Sequence, residues 1–117
     1  MEHSDLILEW SKLLPLIKDE IDKLNSGLEG VYRISKKEPD GKFYVVFVGS
    51  TSDLKEELLK KLVSEEFKQV GEFSFRHSSV KGEEIRKAIE KQMYKQYAPK
   101  YNFKEPNSSL DIRVNLS

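Results

Sequence analysis

Apolar residues recur along this chain with two different periods, and the switches between them divide it into elements. Leu6, Ile7, Trp10, Leu13, Leu14, Ile17, Ile21 and Leu24 fall largely at three- and four-residue intervals, the period of an amphipathic helix, here expected over residues 4–25. Pro15 lies inside it and predicts a kink, or two short helices meeting near Leu14, because proline removes a backbone donor and crowds the preceding turn. Asn25, Ser26 and Gly27 then stop the helix. Residues 31–35 and 43–49 read as the two strands of a hairpin around Pro39, Asp40 and Gly41, which supply a fixed φ, a side-chain acceptor and a permissive φ. The second strand is nearly all apolar from Phe43 to Val48, a pattern expected of a central strand buried on both faces.

Beyond the hairpin the helical period returns. Asp53 with Glu56 has capping-box spacing, and Leu54, Leu58, Leu59 and Leu62 define the buried face of a helix ending near Ser64. Phe73 and Phe75 alternate with polar residues across 72–77, a half-buried third strand. Ile85, Ala88, Ile89 and Met93 mark a last helix reaching about Tyr97, closed by Pro99. In the tail, Leu110, Ile112, Val114 and Leu116 alternate with polar positions, predicting a short strand at a sheet edge or across a dimer contact.

A chain of 117 residues suits one domain with a single core: a helical extension over 1–27, a core over 28–104 and a tail over 105–117. It contains no cysteine, which excludes a disulfide framework and thiolate metal ligation. His3 and His77 have no ligand spacing. No apolar run approaches the roughly 20 residues of a membrane span, and the N-terminus is too acidic for a secretory signal, so a cytoplasmic protein without a membrane partner is expected. The formal net charge is zero, but residues 1–24 carry three Lys against six Asp and Glu, whereas residues 71–102 carry seven Lys and Arg against four Glu. Arg76, His77, Lys81, Arg86, Lys87, Lys91 and Lys95 are therefore candidates for a phosphate-contacting face, with Tyr94, Tyr97 and Tyr101 available for stacking. The competing reading of this bias is a solvated helix face.

Three spaced elements carry a resemblance. Gly30-Val31-Tyr32 resembles the first motif of the GIY-YIG nuclease superfamily, and Phe47-Val48-Gly49 stands where its second motif falls. The stretch from Glu90 through Pro99 to Asn102, at intervals of nine and twelve residues from the glutamate, resembles the family's closing pattern. The likeness spans about residues 28–104 and is nearest in flavour to the N-terminal nuclease domain of the bacterial nucleotide-excision repair incision protein. It implies a small α/β (α+β) fold, a three-stranded antiparallel sheet flanked by helices, and phosphodiester hydrolysis assisted by Mg2+ or another divalent cation. Such hydrolysis needs a base or water-positioning group, a cation for the developing charge and a hard oxygen ligand for the metal.

Carried over position by position, Tyr32 matches the first tyrosine, Glu90 the metal-binding glutamate and Asn102 the closing asparagine. Two positions depart. Phe47 lacks the second tyrosine's hydroxyl, and Glu57 stands where the family has an arginine, placing repulsion where the phosphate needs a cation. Lys61 and Lys55 lie on the same helix as substitutes without arginine's planar fork. Glu57 otherwise reads as a surface ion pair with Lys61 at helical spacing, or as a second carboxylate beside Glu90 on a metal. Tyr32 also reads as a packed strand aromatic and Glu90 as a solvated helix residue. The expectation is a GIY-YIG-like nucleic-acid-binding domain, with DNA as partner, whose cleavage is weakened or lost. The alternatives are an active structure-selective DNA endonuclease with a rewired cation, and a protein-interaction module or homodimer that docks through the N-terminal helix or the tail.

Overall fold

Residues 6–68, 72–102, 104–110 and 114–115 are described by the computed structural model. They form a small α+β fold around an open antiparallel sheet. Inside it lies Gly30–Lys37 (β3), flanked on one side by Phe43–Thr51 (β4) and on the other by Phe73–Ser79 (β5). Along β3 every residue from Gly30 to Ser35 is buried, and successive side chains enter opposite layers, as strand geometry dictates. Tyr32 and Ile34 join Phe75, Phe73, Phe67 and Val46 under the helices Lys18–Asp22 (α1) and Leu54–Leu62 (α2), which contribute Ile21, Leu54 and Leu58. Val31 and Val48 face the helix Glu83–Tyr97 (α3) through Ile89 and Met93.

The N-terminal third departs from its hydrophobic period. Instead of a helix over 4–25, Leu6–Ile7 (β1) pairs in parallel with Val114–Asn115 (β6), Leu14–Pro15 (β2) pairs antiparallel with β5, and only α1 is helical; residues 4 and 5 lie outside the described residues. Ladder bonds to β5 outcompete the helix: Ser11 N donates to His77 O at 2.9 Å and Leu16 N to Phe73 O at 3.0 Å. Pro15 is accommodated because β2 is an edge strand, where the missing donor leaves no ladder partner unpaired. The sheet therefore has four strands in the order β2-β5-β3-β4, not three. A docking role for a long N-terminal helix falls with that helix. In the tail, β6 is an intrachain strand; Ile112 and Leu116 lie outside the described residues.

β4 is an edge strand, not the central one its apolar run predicted. Helices cover both of its faces, and its edge is sealed by the chain leaving α3. Tyr101 N donates to Val46 O at 2.9 Å. The Asn102 side chain accepts from Val48 N at 2.9 Å and donates to Val48 O at 3.0 Å. Edge pairing thus comes from a turn and an amide side chain, a form of edge protection that needs no further strand. A bulge at Ile34/Ser35 leaves Val46 as the extra residue of β4. Beyond it Phe43 and Tyr44 stay 40% and 48% exposed.

The remaining elements follow their local signals. Asp53 caps α2, its carboxylate accepting from Glu56 N at 3.2 Å. A 3₁₀ turn at Glu65–Phe67 then buries Phe67. Ala98, at φ 44°, ends α3 in the left-handed conformation just before Pro99. No helix among the described residues is long and apolar enough to cross a membrane.

Candidate functional site

The two motif glycines face different obstacles. Gly49 pairs directly with Tyr32 across β3 and β4, and a Cβ at Gly49 would lie 2.5 Å from both Tyr32 Cζ and Oη. At Gly30 it would lie 2.2 Å from Ser78 O and 2.8 Å from Leu54 Cδ1. A side chain at either position would force its neighbours to shift where the sheet closes over Tyr32 and under α2.

Tyr32 is fully buried. Its hydroxyl donates to Glu57 Oε2 at 2.8 Å. Burial first, then the negative charge of Glu57, the hydrogen bond to it and the charge of Glu90 push the phenol well above its ordinary pKa. Tyr32 is thus a neutral donor, and solvent does not reach it. The Phe47 ring stacks beside it, centroids 6.0 Å apart at 24°, and Lys61 Nζ stands 4.3 Å from the Phe47 ring centroid. The anticipated Glu57–Lys61 ion pair is therefore replaced: the glutamate turns inward to the phenol, and the lysine lies over the aromatic ring. Lys55 reaches toward α1, its amine donating to Asp22 O at 3.3 Å.

Glu90 comes to the same end of the hairpin from α3. Its carboxylate accepts from Ser50 Oγ at 2.5 Å. Burial raises its pKa, the Ser50 bond and Lys87 oppose that, and Glu57 adds to it. The fold therefore assembles Tyr32, Gly49, Ser50, Glu57 and Glu90 from β3, β4, α2 and α3. Ser50 is the member that the sequence alone did not single out. Its position directly after Gly49 was the available signal.

As a cation site this set fits poorly. Magnesium binds through ionised oxygen ligands and keeps several waters. Here Glu57 is engaged by Tyr32 and Glu90 by Ser50. Among the described residues no group of three or more His, Asp or Glu stands together as candidate ligands. Asn102 is committed to the β4 backbone through both ends of its amide.

The basic candidates do not form one surface. Arg76 and His77 are consecutive on β5 and so point to opposite faces, opposite Arg33 and Tyr32 respectively. His77 stacks on Phe75 at 6.0 Å, and burial lowers its pKa. Arg86 is buried and ion-paired with Glu29. Lys81 is exposed in the loop before α3. Lys87, Lys91 and Lys95, four residues apart, share one side of α3. Of the stacking candidates, Tyr101 packs among Phe67 and Phe73, Tyr94 packs against the second core, and Tyr97 accepts a hydrogen bond from Arg33. Arg33, overlooked in the sequence, is buried with its guanidinium 4.2 Å from the Trp10 ring and 5.4 Å from that of Tyr97.

No family model matches the chain, and no curated protein or solved structure matches it either.

Proposed function

We propose that this chain is a GIY-YIG-like domain that binds nucleic acid without cleaving it. The observation that carries the loss of cleavage is the buried Tyr32–Glu57 hydrogen bond. It removes the would-be water-positioning hydroxyl from solvent and sets a carboxylate where the phosphorane needs a cation. Losing one such electrostatic stabiliser costs on the order of a hundredfold or more in rate. The fold component is supported by the order strand, strand, helix, strand, helix over β3, β4, α2, β5 and α3, on the same stretch that carries the motif resemblance. The binding component is supported by the Lys87, Lys91 and Lys95 stripe on α3. A cytoplasmic setting belongs to the same reading.

Supercoiled plasmid and branched DNA incubated with Mg2+ or Mn2+ should remain uncut, and Glu90→Ala should change nothing. Fluorescence anisotropy at low salt should show duplex binding that weakens as salt rises. Nicking abolished by Glu90→Ala would overturn the loss of cleavage, returning the reading to a metal-dependent endonuclease acting through Glu90. Absence of binding at low salt would overturn the nucleic-acid role. The zero net charge and the exposed Phe43 and Tyr44 favour, as the second reading, a protein-interaction module using the hairpin end of β4.

A further inference from the structure

The lysines of α3 are not equally free. Residues 104–110, which form neither helix nor strand, run along the side of α3 that carries the stripe. There the Lys91 ammonium donates to the Ser108 carbonyl oxygen at 3.0 Å. Next to that contact the segment stands off the helix, leaving a cavity of about 520 Å³ walled by Glu84 and Lys87 on one side and residues 107–110 on the other. Leu110, at its end, is 41% exposed and so adds little burial to hold the segment down. Within the segment, Leu110 N donates to Ser108 Oγ at 3.3 Å, a local bond that gives it no further purchase on α3.

A neutral carbonyl is a weak partner for an ammonium. A phosphodiester oxygen carries formal charge and adds direct coulombic attraction to the same ammonium, which the carbonyl does not offer. We infer that residues 104–110 are a displaceable strap over the lysine stripe, and that a nucleic-acid phosphate backbone competes with the Ser108 carbonyl for Lys91 and lifts the strap as it binds. The inference rests on the nucleic-acid-binding reading and adds a contact that holds the surface partly closed. Lys87 already faces the open cavity and provides the first foothold for the backbone. Its neighbour Glu83, 3.4 Å away, is exposed and gives way to phosphate at small cost.

The chain has no cysteine, so Ser109→Cys in the full chain accepts a single nitroxide label, with Ser26→Cys, exposed in the turn before β3, as the control. Titration with a short DNA duplex at low salt should raise the mobility of the label at 109 with the same midpoint as binding, and leave the label at 26 unchanged. Saturation with DNA while the label at 109 stays unchanged would overturn the strap and leave the binding reading intact. No binding at all would overturn both. In the Ser109→Cys chain, adding Lys91→Gln should mobilise the label without DNA. It should also reduce the slope of log affinity against log salt by about 0.9, the loss of one phosphate contact. An unchanged label in that variant would show that Lys91 does not hold the segment.

Discussion

Gly49→Ala tests whether the glycine of the second motif is retained for packing. The added methyl would sit 2.5 Å from Tyr32 Cζ and Oη and 2.7 Å from Cε1, whereas carbon atoms in ordinary contact lie about 3.5–4.0 Å apart. The ring cannot retreat by the missing ångström, because Phe47 stacks against it and Glu57 holds its hydroxyl. Overpacking of this kind costs about 1–3 kcal/mol. Alanine opposes this with about 0.5–1 kcal/mol from the restricted unfolded chain, so the net loss should be about 1–2 kcal/mol. For a domain of this size that lowers Tm by about 4–8 °C. Urea denaturation on a double-mutant cycle isolates the cause. With Tyr32→Val as the second substitution the three nearest atoms the methyl would strike are gone, so most of the Gly49→Ala penalty should disappear. With Tyr32→Phe, which removes Oη and leaves Cζ, the penalty should fall only in part. A Gly49→Ala protein as stable as the parent, or an equal penalty in all backgrounds, would refute the packing account.

Three further outcomes follow from the same geometry. Glu90 has a folded pKa above its unfolded one, so its contribution to stability is fully present below about pH 4.5 and is lost as pH rises through the folded value. Glu90→Gln should therefore match the parent near pH 4 and exceed it in Tm near pH 7, and an unchanged difference across that range would contradict the burial of this carboxyl. Asn102→Ala leaves Val48 N and O without their partners, which should cost about 1–3 kcal/mol and speed hydrogen exchange at the Val48 amide; unaltered exchange would show that the edge is closed by other means. Arg33→Met removes the guanidinium beside Trp10, the chain's one tryptophan, and should shift its fluorescence emission while far-ultraviolet dichroism stays constant. An emission spectrum identical to the parent's would place the guanidinium elsewhere in solution.

Local chemistry made much of the middle of this chain legible from sequence alone. The Pro39-Asp40-Gly41 turn, the Asp53 cap, the leucine face of α2 and the Pro99 stop of α3 are each decided by neighbouring residues, and the structure places them as those residues predict. The N-terminal third was not legible, because its apolar spacing satisfies a helix while ladder bonds from β5 to Ser11 and Leu16 satisfy the same backbone differently. The apolar run of β4 had a similar ambiguity. Burial on both faces is compatible with an edge position once Tyr101 and Asn102 seal the edge, and no local pattern announces a side-chain amide in place of a strand.

The candidate site divides along the same line. Sequence by itself determined which groups exist: one tyrosine, a phenylalanine without a hydroxyl, a glutamate in place of an arginine, and a late glutamate on a helix. Only tertiary structure decided what they do to one another. Spacing along a helix offered Glu57 a lysine four residues away, but the fold offered it a buried phenol from β3. Spacing also set Arg86 beside Lys87 as equal cations, whereas burial joins the first to Glu29 and leaves the second at the surface. Hydrogen bonds and charges act over a few ångströms of space, and the residues that come within that reach here are separated by 25 positions for Tyr32 and Glu57 and 40 for Ser50 and Glu90.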